Sequence, residues 1–284
     1  MVTRRNQRGV ALVFVLWLLV LLGAIVAELA SRTRAEATML SSLRSRTVGR
    51  YAAESGILAA TVGIEGWLDS TRSPLERAAL FRGLDTRLAS LAGADLGGAR
   101  FAVAAVDLNA RIDLNRADIG TLRGLFRQFT TDGRAEAVVT ALKQHPVRRL
   151  AELAQVLGSD DSLALAVAPY VTVWSDGIVN INSAPEPVLA ALPGVGAAAA
   201  SIVLRRATGE VFTTLDPVHP AARPEVLAAV GGAAPALLVS TVPSRLMLVS
   251  RGWQEGHPLT HEIQAVYAVV GSRLVPQSWQ ERDR

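Results

Sequence analysis

The sequence predicts an α+β chain with a long N-terminal transmembrane helix, an antiparallel sheet, and an all-α domain inserted into that sheet. Three observations carry this reading. The run from Val10 to Ala27 contains no polar side chain, which is about 18 residues against the ~20 an α-helix needs to cross a bilayer. The middle of the chain repeats a helical pattern, first from Asp113 and again from Asn180, the mark of an internal duplication. After Gly231-Gly232 the helical spacing gives way to short apolar runs that read as strands.

Composition narrows the function classes. A chain of 284 residues, 50% apolar and 19% charged, has room for one large or two modest globular domains beyond the anchor. Arginine supplies nearly all the positive charge, Lys143 being the only lysine. Removing Arg4, Arg5 and Arg8 brings the formal charge from +4 to +1, so the basic balance does not argue for nucleic acid. The absence of cysteine excludes a disulfide framework, thiol catalysis and zinc–thiolate sites. A core of this size holds by burial alone.

At the N-terminus, Arg4, Arg5 and Arg8 precede the apolar run with no acidic residue beside them, which keeps that end cytoplasmic and places the remainder across the membrane. A secretory signal peptide is the competing reading, with Ala27-Glu28-Leu29-Ala30 as a cleavage site, but its apolar core would be shorter, ~7–15 residues. Arg8-Gly9-Val10 followed by an apolar helix resembles the class III leader of type IV pilins and type II secretion pseudopilins. The resemblance implies a leader over residues 1–9, removed by a prepilin peptidase between Gly9 and Val10, with N-methylation of Val10. Residues 10–30 then remain as the transmembrane helix. Most members carry Glu at the fifth mature position, where this chain has Phe14. A carboxylate in an apolar helix is costly unless paired, and the family that characteristically lacks it is minor pseudopilin K (GspK), thought to cap the filament tip.

Residues 31–112 are expected to hold a periplasmic helix and the first part of the pilin-like sheet domain. From Ser31 to about Leu68 there is no proline, and Met39, Leu43, Tyr51, Ile57, Leu58 and Val62 recur at helical spacing. The segment Tyr51 to Ile57 resembles a small-residue turn found at this place in many minor pilins; ordinary helix packing explains it equally well. Ser73-Pro74 offers a helix start, with the helix running to about Leu91. The glycine-rich stretch from Gly93 to Gly98 breaks the pattern, and Phe101 to Asp107 alternates as a half-buried strand.

Residues 113–230 form the duplicated helical domain. Asp113-Leu114-Asn115-Arg116-Ala117, with Leu122 and Leu125, aligns at constant offset with Asn180-Ile181-Asn182-Ser183-Ala184, with Leu189 and Leu192. Leu150 and Leu153 align with Phe212 and Leu215. Asn115 and Asn182 are placed to cap the helices that follow. Leu192-Pro193-Gly194-Val195-Gly196, then Ile202 and Arg205, resembles the hairpin of helix-hairpin-helix and SAM-like units. In DNA-binding members the hairpin amides hold a phosphate, usually with Lys or Arg just beyond. Here Ala197, Ala198, Ala199 and Ala200 follow, so the cationic part of DNA affinity is missing. The first unit has Phe126-Arg127-Gln128-Phe129 instead of glycines. A packing module is expected, and no nucleic acid. Pro217, Pro220 and Pro224 punctuate its end.

Residues 231–284 are expected to complete the sheet, with strands at Ser244–Val249, Ile263–Val270 and Arg273–Val275, a loop from Gly252 to Pro258, and a solvated tail Gln280 to Arg284.

Catalytic chemistry finds no support. His145, His219 and His257 each precede proline, and His257 with His261 does not make the metalloprotease pattern. No nucleophile elbow, phosphate loop or dinucleotide fingerprint occurs. The chain is expected to be no enzyme and to need no cofactor; calcium is compatible with the family, but the sequence places no site for it, and the metal assignment stays unknown. The resemblance to the GspK family spans essentially the whole chain. It implies a structural role at the pseudopilus tip during export across the outer membrane, anchorage in the bacterial inner membrane with the globular part periplasmic, and the minor pseudopilins I, J and possibly H, the major pseudopilin and the prepilin peptidase as partners. A minor type IV pilin and a membrane-anchored helix-hairpin-helix DNA-binding protein are the alternatives.

Overall fold

The computed structural model describes residues 7–91, 94, 96–214 and 239–283, with side chains from Leu12 onward. Helix α1 runs unbroken for 64 residues, Gln7–Ser70. The Tyr51–Ile57 segment is therefore continuous helix and not a turn. Its small residues serve packing: Ala52, Ala53 and Gly56 are buried on the side that meets the sheet. Ser73 caps the next helix by accepting from the Glu76 amide, while the Glu76 carboxylate takes the Arg72 amide at 2.6 Å. The single helix expected to Leu91 is two, α2 (Pro74–Arg82) and α3 (Leu84–Ala89), divided at Gly83.

Strand β1 (Ala99–Asp107) leads out of the sheet domain through β2 (Ile112–Asp113) into the helical insert. The first unit of the insert contains α4 (Ile119–Phe126), α5 (Asp132–Gln144), α6 (Leu153–Val156) and α7 (Asp161–Val167), and ends on β3 (Val171–Thr172). The second contains β4 (Val179–Asn180), α8 (Glu186–Ala191), α9 (Ala199–Ala207) and β5 (Val239–Ser240). The insert was expected to be all-α; each unit is in addition closed by a two-residue parallel ladder, β2 with β3 and β4 with β5. Val239 and Ser240 thus pair inside the insert, and the main sheet resumes only at β6 (Arg245–Gln254).

Strands β7 (Thr260–Val270) and β8 (Arg273–Asp283) complete a four-stranded antiparallel sheet in the order β1-β6-β7-β8. The sheet begun near Phe101 is therefore closed by the C-terminal strands. Two boundaries move. Gly252 lies within β6 and not in a loop, and β8 continues through Gln280 to Asp283, paired with β7. Pro276 is accommodated because β8 is the edge strand, next to the irregularity between Val266 and Tyr267.

Two separate cores form. In one, Ala53, Ile57, Ile64 and Leu68 of α1 pack on Phe101, Leu248, Ile263 and Tyr267 of the sheet. In the other, Leu122, Leu125, Phe126, Val139, Leu189 and Ile202 join the two units of the insert. Close approach of α1 to β6 requires glycine: a Cβ on Gly252 would run into the backbone of Gly49 and Ala53.

Candidate functional site

The surface best suited to assembly is α1 itself. Its first half, from Leu12 to Leu29, is exposed on every side, and among the described residues it is the one helix long and apolar enough to cross a membrane. Phe14 is 77% exposed within this segment. Gly9 and Val10 fall on the opening turns of α1, but their side chains lie outside the described residues, as do residues 1–6 altogether. In the second half, one side of α1 is covered by the sheet and the other is not. Leu29, Leu40, Leu43, Tyr51, Leu58 and Val62 are 47–68% exposed. At 100° per residue they fall within an arc of roughly 100° opposite the buried residues. Thr33, Glu36, Arg44, Thr47 and Glu54 share that arc, so the bare side of the stalk interleaves apolar and polar side chains.

The insert leaves the sheet at the end distal to the exposed apolar segment of α1. Gly49 of α1 meets Gly252, and Gly56 meets Phe101 and Ser250. Farther along α1, the Glu65 carboxylate accepts from the Leu274 amide and Arg273, each at 2.8 Å, which holds it below the usual carboxylate range. The order of these contacts puts Asp107 and its partner Leu246 on the far side of the sheet from the membrane segment.

A buried polar network fixes this junction. The Asn109 side-chain oxygen accepts from the Ser244 and Arg245 amides at 2.9 and 2.8 Å, and its NH2 group donates to Asp176 and the Ile178 carbonyl at 2.8 and 2.7 Å. Asp107 accepts from Asn180 at 2.8 Å and from the Ser183 hydroxyl. Burial pushes the Asp107 carboxyl up despite those bonds. Burial also opposes ionisation of Asp176, but bonds from Ser244, Ile178 and Asn109 outweigh it and the net shift is down. Arg82 of α2 donates to the Arg206 and Glu210 carbonyls at 2.6 and 2.9 Å, tying the insert to the sheet domain from a second side. Between these ties lies a cavity of about 270 Å³ that Arg82, Asp85, Asp107 and Asn182 help to line.

The two asparagines expected as helix caps do something else. Asn115 accepts from the Val147 amide at 2.9 Å and donates to the Val147 carbonyl at 2.8 Å. Asn182 does the same to Phe212, at 2.9 and 2.7 Å. Each amide side chain therefore acts as a backbone ladder for a distant residue, which satisfies both polar groups at once. The cap of α4 is Asp118, which accepts from Thr121, and α8 starts at Pro185 with no side-chain cap. These bonds also correct the alignment: Val147, and not Leu150, is the counterpart of Phe212. Leu215 and Val218 lie outside the described residues.

Pro193, Gly194, Val195 and Gly196 form the turn between α8 and α9. Gly194 has φ +79°, and Val195 is buried beneath the turn. A Cβ on Gly196 would lie 2.7 Å from the Ala190 carbonyl. Among the described residues no three of His, Cys, Asp and Glu are grouped so as to hold a metal. His261, which makes no metalloprotease pattern with His257, stands in β7 with its ring nitrogens 2.8 and 3.3 Å from Asp283 and Glu281. The same two acids meet Arg46 and Arg50 of α1, so residues 280–283, exposed as the sequence suggested, also reach the stalk.

Sequence reasoning missed one constellation. On the sheet face away from α1, Glu262 is fully buried between Arg251 and Arg282. Desolvation raises its pKa, but bonds from Arg251, Arg282 and Gln264 prevail and hold it at about 2. Only strand register brings the three together.

Family models and curated proteins return no match to this sequence. Among solved structures, the chain is similar to one chain of the crystal structure of the GspK-GspI-GspJ complex from the enterotoxigenic Escherichia coli type 2 secretion system. The TM-score is 0.52 at 16% identity, covering 89% of this chain and 100% of that one. At that identity the likeness speaks to architecture: the chain has a GspK-like pseudopilin fold, an α+β domain behind a long apolar N-terminal helix.

Proposed function

We propose that this chain is a minor pseudopilin of a type II secretion system, anchored by α1 in the inner membrane, that joins other minor pseudopilins and stands at the tip of the pseudopilus. The observation that carries the reading is α1 itself, an exposed apolar segment continuous with a stalk that packs one side on the sheet. On the side the sheet leaves bare, Leu40, Leu43, Tyr51, Leu58 and Val62 stay exposed between polar residues, which leaves that side available for lateral packing against neighbouring helices. The role is structural and not catalytic, in keeping with the secretion complex whose fold it shares. Partners of the I and J type follow from the same likeness; a partner of the H type, the major pseudopilin and the prepilin peptidase follow from the leader and the bundle.

Two features favour the tip. The insert springs from the anchor-distal end of the sheet, where its bulk would obstruct a further subunit. Phe14 replaces the acid that would otherwise pair with the terminal amine of a neighbour. On this reading the peptidase cuts between Gly9 and Val10, Val10 is methylated, and the globular part is periplasmic. The test is the mature N-terminus, measured by intact mass and peptide mapping from membranes with and without prepilin peptidase. A methylated chain beginning at Val10 only when the peptidase is present is expected. A chain beginning at Met1 or after Ala30 would sink the pseudopilin reading.

A further inference from the structure

The outer face of the sheet carries a preorganised cationic centre that the assembly reading leaves unused. In the cross-strand row Ala102, Arg251, Glu262 and Arg282, all four side chains point away from α1, because the adjacent row of Phe101, Gly252 and His261 faces the helix. Glu262 accepts from Arg251 Nε at 2.8 Å, Arg282 Nε at 2.9 Å and Gln264 at 2.8 Å. Burying a lone carboxylate is expensive, and this one is held ionised by its donors. Two guanidinium groups thus share one carboxylate. Their side chains are 52% and 51% exposed although Glu262 itself is 0% exposed. A guanidinium has five N–H donors in a fixed plane. Arg251 gives one of them to Glu262 and Arg282 gives two, so the outward edges keep donors to offer. Trp253, one row along on the same face beside Arg100, adds an aromatic of the kind that anchors protein interfaces together with arginine.

We infer that this outer face is a docking surface for an acidic protein surface, with side-chain carboxylates of the partner received by Arg251 and Arg282 beside Trp253. The argument for that occupant is charge complementarity. The centre is oriented before binding, which lowers the ordering cost, and planar forks match carboxylates in bidentate fashion. The position deepens the assembly reading and rests on it for one point: with the bare side of α1 turned into a bundle, this face looks outward, toward proteins that are not bundle subunits. The binding site itself does not depend on that reading.

The experiment uses the full chain in neutral-lipid nanodiscs, with fluorescent hexaglutamate as probe, hexalysine as control and inorganic phosphate as competitor, followed by anisotropy. Because Arg251→Gln alone strands a buried Glu262, the variant is the triple Arg251→Gln, Glu262→Gln, Arg282→Gln, which removes the charges together and is checked by its melting temperature. A second variant, Trp253→Ala, leaves the triad intact. Hexaglutamate is expected to bind, to weaken at least tenfold in the triple variant and severalfold in Trp253→Ala, and to resist equimolar phosphate. Unchanged binding in the triple variant, equal binding of hexalysine, displacement by equimolar phosphate, or no binding at all would overturn the proposal. A chain that failed the N-terminal mass test would still give the same binding result, so the two failures are separable.

Discussion

The two units of the insert share a skeleton and differ in how they cover it. In both, a two-residue parallel ladder closes the unit, and an asparagine two residues past its first strand grips a distant backbone: Asn115 on Val147, Asn182 on Phe212. The packing between the units is itself near-symmetric, since Gly124 lies against Ala191, its counterpart at the same offset. The coverings have diverged. The first unit caps α4 with Asp118 and continues into the 13-residue α5; the second starts at Pro185 and turns on glycines into α9. What was kept is the set of bonds that no other side chain makes, and what drifted is what several residue types can supply.

That contrast is open to attack in order of expected effect. Asn115→Asp and Asn182→Asp each remove the donor and set a carboxylate against a carbonyl oxygen; with Asn115 exposed and Asn182 half-buried, each is expected to cost about 1–3 kcal/mol. Urea unfolding of the full chain in detergent would measure both. A silent Asn115→Asp beside a damaging Asn182→Asp would break the equivalence of the units. Gly124→Ala and Gly196→Ala place a methyl at 2.9 and 2.7 Å from backbone carbonyls and should each cost about 1–3 kcal/mol by overpacking, read as a fall in melting temperature.

Next comes Asp118→Ala, worth about 1 kcal/mol as a lost N-cap, against Pro185→Ala, where no side-chain cap exists to lose. Amide exchange in α4 and α8 would separate them. The smallest difference is in pH response. Asp113 accepts from the Asn115, Arg116 and Ser175 amides, yet burial raises its pKa above its ordinary 3.8. The folded state then holds the proton more tightly than the unfolded one. This group's contribution is complete below pH 3.8 and declines as pH rises toward its folded value. Its counterpart Asn180 cannot titrate, so Asp113→Asn should flatten that part of the pH–stability curve measured by thermal melts.

Much of this was legible in the sequence, for a physical reason in each case. The anchor and stalk announce themselves through eighteen apolar residues and helical spacing, and the duplication through a constant offset. Ser73 was visible as a helix start because capping is local. The asparagines misled because their partners, Val147 and Phe212, are some thirty residues away, and an Asn before a helix looks the same whether it caps or bridges. The loop drawn at Gly252 followed ordinary turn chemistry; the glycine serves instead the crossing of α1. The Arg251–Glu262–Arg282 centre left no local trace at all, since its residues meet only through the register of β6, β7 and β8.

The crossing of α1 over β6 has a mechanical consequence. With Gly49 and Gly252 in backbone contact, and Arg46 and Arg50 reaching Asp283 and Glu281 beyond them, the stalk is seated directly on the sheet. A pull along the axis of α1 would therefore load helix and strands together in shear, across the packed contact of Ala53, Ile57 and Ile64 with Phe101 and Leu248. If the apolar segment is drawn from a bilayer in the proposed role, that contact is what transmits the movement to the sheet.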